Sequence, residues 1–498
     1  MTLGFAHRRA FLPLRPARSG LFLLWAALSW AVPHSVHAGG LYLQPFGTEP
    51  ASRGGARVAG VSSPHALWYN PAGLAYSKRQ ALVDLGLPLA RASFTRFNPD
   101  GTSSPTAHAA PTVLPIPTLA YSDDFGLERW GFGIGLIIPP AYSLQWPSSV
   151  DGQPAPQRYS ILNTDGSAFG SLALAAAYRP LDRLALGAAL YLTAGQVGGE
   201  VAVSACDYAF CSQPEGREWE GRSRFLLGPI FSASAVFGAR YDFDGFRVGG
   251  SVQVRSKLAG TAQFDVALPD QAFFDDVTLT NAKGGKDLHA DMELKLPTII
   301  RLGVEGDVER NTKVELAGTW ENWGVQRSVT VRPLGVYAHD VPGVGDVKAQ
   351  PLTLARNLRP TWALHLGGTH DLHWARRDDL RLNVNAGFMF ESSSLAPRDL
   401  SATTIDTNKV MLACGVSVEI LRGLMLDFTY AHFFMQNRTV RDSRALLPAA
   451  IRPLPIDNDP GMYEAGDRPA IGNGKYTVEA DLVAIGARWL IDETLQKR

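Results

Sequence analysis

The sequence predicts an all-β fold, an antiparallel transmembrane β-barrel of about 14 strands with an N-terminal hatch, or plug, inside the lumen. Three observations lead to this prediction. Long segments alternate between apolar and polar residues, which gives each face of a sheet one kind of side chain. The connections alternate between short turns and long loops. Charged residues gather on one face of the strands, as a water-facing lumen requires.

The alternation is clearest in the second half of the chain. In residues 382–390 the even positions are apolar and the odd positions are mostly polar or small, and residues 410–420 repeat this pattern. About fourteen such segments follow residue 80, an even number of long strands that is typical of outer-membrane barrels. Their expected bounds are 80–96, 112–122, 130–142, 165–179, 183–202, 222–241, 245–267, 288–308, 312–333, 360–370, 379–391, 406–420, 423–437 and 475–490.

The connections fall into two kinds. Short turns at 179–182, 242–245, 309–311 and 421–423 alternate with long loops such as 438–474. Short periplasmic turns and long outer loops are expected of an outer-membrane barrel. The N- and C-terminal ends of the barrel would then both face the periplasm, with the long loops outside.

The charged positions predict which face is the lumen. A charge that faces hydrocarbon near the bilayer midplane costs roughly 2–4 kcal/mol, so charged strand positions should face inward. Cys414 falls on the opposite face and is expected to contact lipid, and several tryptophans suit aromatic girdles. The expected lumen charges are Asp291, Glu293, Lys295, Arg301, Glu305, Lys313, Glu315, Arg381, Lys409, Glu419 and Asp427, and the expected girdle residues are Trp320, Trp323, Trp362 and Trp489.

Residues 1–38 have the features of a secretory signal peptide. A positive start precedes an apolar run at 21–28, and Val36-His37-Ala38 has the small residues of a cleavage site. The zero net charge argues against nucleic acid as a partner. Export makes a disulfide between Cys206 and Cys211 possible. No motif in residues 39–498 implies a metal, a nucleotide or another cofactor.

Residues 39–79 do not alternate and form the expected hatch. Their start carries Leu41, Tyr42, Leu43 and Phe46, and Asn70-Pro71-Ala72-Gly73 stands shortly before the first strand. A compact element at this place is naturally a plug, because a wide lumen otherwise passes water. The Asn-Pro-Ala-Gly motif before a long series of strands resembles the hatch of the FadL/TodX family of outer-membrane fatty-acid and hydrocarbon transporters.

The resemblance covers nearly the whole mature chain. It includes Leu296-Pro297, Arg301-Leu302-Gly303 and Glu321-Asn322-Trp323. One departure is the end of the chain: family members commonly finish on an aromatic residue in the last strand, whereas Trp489-Leu490 is followed here by the tail 491–498. The expected division is therefore a signal peptide at 1–38, a hatch at 39–79, a barrel at 80–490 and a C-terminal tail at 491–498.

The resemblance implies passive uptake of a hydrophobic small molecule by a monomer in the outer membrane of a Gram-negative bacterium. Ligand would pass from the outer loops to a lumen site above the hatch, and leave sideways at a kinked third strand. Pro139-Pro140 lie in that strand, and proline cannot donate to a β-ladder. They mark either the lateral opening or simply the end of the strand.

The ligand class is not decided by the sequence. A fatty acid would favour a lumen cation, for which Arg255, Lys257 and Arg301 are candidates, although each could instead pair with a lumen acid. An aromatic or aliphatic hydrocarbon would need only an apolar pocket. Leu41, Tyr42, Leu43 and Phe46 are candidate hatch contacts for either ligand.

Small lumen positions mark the fourth and fifth strands. We expect these positions to form an apolar path for ligand or to make room for the hatch backbone. The positions are Ala173, Ala175, Ala177, Ala185, Gly187 and Ala189.

Other function classes are less well supported. An enzyme would need a nucleophile beside a base or paired acids at one rim, and no such grouping stands out. A general porin or a structural outer-membrane barrel is the main alternative. The hatch-like segment argues against an open pore.

Overall fold

The computed structural model describes residues 44–113, 115–139, 143–164, 166–206, 215–342, 345–349, 351–373, 381–447 and 469–491. The predicted signal peptide, the C-terminal tail after residue 491 and Leu41, Tyr42 and Leu43 lie outside these ranges. No helix in the described ranges combines the length and the apolar character needed to cross a membrane.

Fourteen antiparallel strands form a closed barrel, which confirms the predicted fold class. The barrel closes where the first and last strands pair over their full length, from Gln80 opposite Leu490 to Arg96 opposite Gly474. The strands are β1 Gln80–Arg96; β2 Ala110–Val113 with Ile116–Asp123; β3 Trp130–Ile137 with Ser143–Gln145; β4 Ala168–Leu181; β5 Leu184–Ser204; β6 Glu220–Asp242; β7 Phe246–Gln253 with Ser256–Ala267; β8 Leu288–Leu296 with Ile299–Glu309; β9 Thr312–Glu321 with Ser328–Pro333; β10 Leu352–Ala355 with Thr361–His373; β11 Arg381–Glu391; β12 Lys409–Leu421; β13 Leu424–Met435 with Arg438–Val440; and β14 Gly474–Leu490.

Short elements complete the described chain. The hatch contains helices α1 (Thr48–Ser52) and α2 (Ala66–Tyr69) and a 3₁₀ helix, Pro71–Tyr76. The rest of the described chain contains a three-stranded sheet, a two-stranded hairpin, a short strand and further 3₁₀ turns. These elements are Thr278–Asn281, Val336–Val341 and Gly345–Lys348; Ser149–Val150 and Gln153–Pro154; Ala107–His108; and Arg217–Trp219, Ala272–Phe274, Trp323–Val325 and Pro397–Asp399.

Strand β8 exchanges its two faces partway along its length. In Ile299–Glu309 the odd positions are inward and buried, as Arg301 and Glu305 show. In Leu288–Leu296 the even positions are buried instead. Because side chains alternate with a period of two, an interruption between buried Leu296 and buried Ile299 moves every side chain to the other face.

This exchange corrects part of the predicted lumen. Asp291, Glu293 and Lys295 lie on the outer face and not inside, because the predicted alternation was carried straight through Pro297. Strand β7 exchanges faces in the same way between buried Gln253 and buried Leu258.

Two candidate ligand-binding cations therefore do not line the lumen. Arg255 is exposed at the break in β7. Lys257 is 69% exposed on the outer face, with its Nζ 3.7 Å from Glu293 Oε2. Arg301, the third candidate, is buried inside the barrel. The prediction that Arg255 and Lys257 face the lumen is wrong for the same reason, the change of face at an interrupted strand.

The predicted girdle tryptophans divide in two. Trp320, Trp362 and Trp489 are exposed on the outer surface. Trp323 is fully buried, and its Nε1 donates to Glu321 Oε2 at 2.6 Å. Trp323 therefore belongs to the interior, because it falls in the 3₁₀ turn that interrupts β9. Cys414 is exposed and free.

Candidate functional site

The Asn-Pro-Ala-Gly motif builds the turn that seats the hatch against the wall. Asn70 Oδ1 accepts from the Ala72 amide at 3.2 Å, which caps the 3₁₀ helix that begins at Pro71. Asn70 Nδ2 donates to the Val58 carbonyl and to the Ala239 carbonyl on β6, each at 3.0 Å. The Asn70 side chain thus ties together two parts of the hatch and one wall strand.

The other side of the hatch is held by buried charge. Glu315 on β9 accepts hydrogen bonds from the backbone amides of Val58, Ala59 and Gly60 at 2.5, 2.9 and 3.0 Å. Arg53 Nη2 lies 2.8 Å from Glu305 Oε2 on β8, and both side chains are almost fully buried. Buried ion pairs of this kind are strongly disrupted when one partner is removed, because the remaining charge is left unpaired.

A third set of bonds joins the hatch to β1. Asp84 Oδ2 lies 2.7 Å from His65 Nε2 and accepts from the Thr48 amide at 3.0 Å. His65 Nδ1 lies 3.2 Å from Ser63 Oγ. This Ser-His-Asp grouping is buried between hatch and wall. Its geometry secures the hatch, and the sequence did not reveal it because Asp84 is remote from the two hatch residues along the chain.

Glu49 adds an ion pair within the hatch itself. Its Oε2 lies 3.0 Å from Arg57 Nε. Burial by itself raises the pKa of the Glu49 carboxyl, but the charges of Arg57, Arg488 and Arg53 outweigh burial and lower that pKa to about 2. Glu49 is therefore ionised at neutral pH.

The small residues of β4 and β5 make room for the hatch. Ala173, Ala177, Ala185 and Ala189 are buried in one apolar cluster with hatch residues that include Leu67 and Leu74. A Cβ on Gly187 would lie 2.4 Å from the Ala72 amide nitrogen. Of the two readings of this wall, the structure favours the packing of the hatch backbone over an open path for ligand.

Above the hatch lies an apolar shelf that crosses five neighbouring strands. Met389 pairs with Met411, Met411 with Phe433, Phe433 with Ala480 and Ala480 with Ala90. All five side chains are fully buried. They belong to a larger cluster that also includes Ala51 of the hatch, Leu227, Ile230, Met292 and Trp323 of the wall, and Leu395, Leu400 and Ile405 of an outer loop.

This shelf was not predicted from the sequence. The signal was present, because each shelf residue occupies an inward position of its alternating strand. A single apolar residue at an inward position does not indicate a ligand surface. Only the register between neighbouring strands shows that the five residues lie side by side across the sheet.

A polar group borders the shelf on its outer side. Lys409 Nζ lies 2.6 Å from Glu391 Oε1 and 3.0 Å from Asp406 Oδ1. Glu391 and Lys409 are direct partners in the ladder between β11 and β12, one inward position beyond Met389 and Met411. The interior thus offers an apolar surface with a charged rim.

The wall is incompletely paired beside Pro139. The ladder between β3 and β4 ends at Ile137 opposite Ser171, and Ala168–Gly170 continue β4 with β5 alone among the described residues. Ile138 and Pro139 belong to no strand, and Pro139 is buried. Pro140 lies outside the described residues. Ile137 belongs to the hatch cluster, so the unpaired segment begins at the upper surface of the hatch.

The remaining predicted site residues are only partly described. Phe46 is buried and stacks on Trp68 with ring centroids 4.9 Å apart. The Arg301 guanidinium lies 5.4 Å from the Trp68 ring centroid. Cys206 is disulfide-bonded, while Cys211 lies outside the described residues, so the pairing of these two cysteines stays a prediction.

A closed barrel with its own N-terminal segment seated in the lumen defines the class of plugged β-barrels. The family model for outer membrane protein transport proteins (OMPP1/FadL/TodX) matches residues 29–458, and the chain belongs to this family. It is a family of transport proteins and not of enzymes, whose members are outer-membrane β-barrels of Gram-negative bacteria.

Solved structures share the fold at low sequence identity. A FadL homologue of Pseudomonas aeruginosa has a TM-score of 0.66 at 14% identity, covering 91% of this chain and 99% of its own. The toluene transporter TodX of P. putida has a TM-score of 0.59 at 14% identity, covering 90% and 99%. The toluene transporter TbuX of Ralstonia pickettii has a TM-score of 0.54 at 14% identity, covering 90% and 98%. No curated protein matches the chain significantly.

Proposed function

We propose that this protein is a monomeric outer-membrane channel of a Gram-negative bacterium for the passive uptake of hydrophobic small molecules. Ligand passes from the outer loops to the apolar shelf above the hatch, and leaves sideways through the wall beside Pro139. One observation carries the proposal: the buried apolar cluster extends from the outer loop residues Leu395 and Leu400 down to Ala51 of the hatch.

The hatch contacts support a lateral exit over a central one. Asp84, Glu305 and Glu315 hold the hatch from opposite sides of the barrel. Moving the hatch out of the lumen would break the buried Arg53–Glu305 ion pair, at a cost of about 3–5 kcal/mol, together with the buried hydrogen bonds of Glu315 and Asp84. Among the described residues no ladder bond joins Ile138 and Pro139 to β4, so fewer bonds need to break for the wall to part there.

The apolar shelf and the structural neighbours support the proposed class of cargo. The shelf presents methionine, phenylalanine and alanine side chains, which suit a hydrocarbon body. Two of the structural neighbours are toluene transporters. Long-chain fatty acids and aromatic or aliphatic hydrocarbons are therefore the candidate cargoes, and Phe46 and Trp68 are candidate hatch contacts.

A cross-link across the unpaired segment tests the exit. We would place cysteines at Ile138 and Gly170, in a Cys414→Ala background, and join them with a short thiol-reactive cross-linker. The matched control joins Ile134 and Leu174, which are already partners in the β3–β4 ladder. Uptake of labelled toluene by cells should fall only for the first pair, and equal uptake in both pairs would rule out this exit.

Single-channel recordings separate the proposal from the porin alternative. A barrel closed by its hatch should pass little ion current, because water does not fill its lumen. Large and steady currents through the purified wild-type protein would favour a general porin.

A further inference from the structure

The polar rim of the apolar shelf is rich in acids. Glu391, Asp406 and Glu321 lie along it, and Lys409 is already bound to the first two. Glu321 accepts from Gln44 Nε2 of the hatch and from Trp323 Nε1. Lys409, the cation that borders the shelf, is already bound to two carboxyl groups, so it is not available to a ligand carboxylate.

One oxygen of Glu391 is not satisfied. The side chain is only 7% exposed, and Oε1 is bound to Lys409. Oε2 accepts no hydrogen bond from any described residue. A buried polar atom without a hydrogen-bond partner loses its hydration with no compensation.

Thr407, the residue after Asp406, carries a second buried polar atom of this kind. Thr407 stands between Asp406 and the start of β12, is almost fully buried, and its Oγ1 has no hydrogen-bond partner within the described ranges. Two buried polar atoms at one edge of an apolar surface indicate that something polar but small is accommodated there.

We infer that Glu391 is a specificity-determining residue, and that the shelf accepts ligands with an apolar body and one hydrogen-bond donor, such as an alcohol or a phenol. The donor of the ligand bonds to Glu391 Oε2, while its apolar body rests on Met389, Met411 and Phe433. A carboxylate ligand is disfavoured. This inference rests on the proposed function and narrows its cargo.

The shelf can adapt to such a ligand. Met389 and Met411 are direct neighbours and both fully buried. Methionine side chains are unbranched and flexible, and they repack around bound molecules more readily than branched residues do. The apolar body of the ligand therefore enters by displacing the side chains of Met389 and Met411, which lie one inward position from Glu391 and Lys409.

The test compares three probes of similar size: benzyl alcohol, toluene and benzoate. Binding to the purified full-length protein in detergent would be measured by calorimetry. In the wild type, benzyl alcohol should bind more tightly than toluene, and benzoate more weakly than both. Glu391→Gln should weaken benzyl alcohol about tenfold, because an amide replaces the carboxyl oxygen that accepts from the alcohol, and leave toluene unchanged.

Two further variants complete the design. Glu419→Gln is the matched control, since Glu419 is a buried carboxylate of the neighbouring strand β12 that accepts from the Gly423 amide at 2.7 Å, away from the shelf. It should change none of the three affinities. Thr407→Val, which keeps the volume of the side chain, tests the second polar atom if Glu391→Gln does not assemble; it should also weaken benzyl alcohol selectively.

The outcomes distinguish a failure of this inference from a failure of the proposed function. Toluene binding without any preference for benzyl alcohol, or tighter binding of benzoate, would overturn this inference and leave the hydrophobic channel intact. An equal loss of toluene and benzyl alcohol in Glu391→Gln would overturn it as well. Binding of none of the probes by the wild-type protein would overturn both.

Discussion

The two halves of the barrel interior are built from different chemistry. The half that holds the hatch is fastened by Glu305, Glu315 and Asp84, each with its buried partner in the hatch. The half above it is lined by Met389, Met411 and other apolar side chains. Ion pairs and backbone hydrogen bonds fix one geometry, whereas methionines tolerate many. The contrast supports the proposed division between a fixed hatch below and an adaptable ligand site above.

The largest effect is expected where the seal depends on one carboxylate. Glu315→Ala removes the acceptor of three buried amide groups, those of Val58, Ala59 and Gly60. Each unsatisfied donor costs about 1–3 kcal/mol, so the seating of the hatch should lose several kcal/mol. Hydrogen exchange at residues 58–60 should rise strongly. Glu309→Ala, at an exposed turn position of β8, is the control, and equal exchange in both variants would show that the hatch is not held this way.

The next test fills a close contact between wall and hatch. A Cβ at Gly387 on β11 would lie 2.0 Å from the Gly54 amide nitrogen. Gly387→Leu should therefore push the hatch from the wall, at a cost of roughly 1–3 kcal/mol or more. Ion conductance should increase because the seal is broken. Gly318→Ala, where the added Cβ meets its nearest atom at 3.8 Å, should conduct like the wild type. Wild-type conductance in Gly387→Leu would show that the hatch is not the seal.

The barrel itself was predictable from the sequence, and most of the site was not. Alternation and loop length indicate strands locally, so β1 was expected at 80–96 and is Gln80–Arg96. The predicted faces of Ser256–Ala267 in β7 and Leu288–Leu296 in β8 were wrong, because the break between the two segments of each strand exchanges the faces from one segment to the other. The partners of the hatch could not be predicted, since Glu315 and Val58 meet only through the closure of the barrel. The shelf depends in the same way on register between strands.

A smaller effect is expected at the apolar shelf above the hatch. Met389→Leu combined with Met411→Leu keeps the volume nearly constant, so the free energy of unfolding should change by less than about 1.5 kcal/mol. The branched side chains repack less freely, and uptake of a bulky hydrocarbon should fall more than uptake of toluene. Hatch protection against hydrogen exchange should stay at the wild-type level. A loss of protection at residues 44–79 would contradict the separation between a rigid lower half and an adaptable upper half.

The smallest effect is confined to acidic conditions and concerns Glu49 in the seal. Its pKa is lowered from 4.5 to about 2 because Arg57, Arg488 and Arg53 outweigh the effect of burial. A carboxyl with a depressed folded-state pKa stabilises the folded form fully above its unfolded pKa, and this contribution is lost as the pH falls from about 4.5 towards 2. Hatch protection, corrected for intrinsic exchange rates, should therefore decline over this range in the wild type. In Glu49→Gln the decline should be weaker and the protection lower at pH 7, whereas parallel profiles would mean that Glu49 does not contribute to the seal.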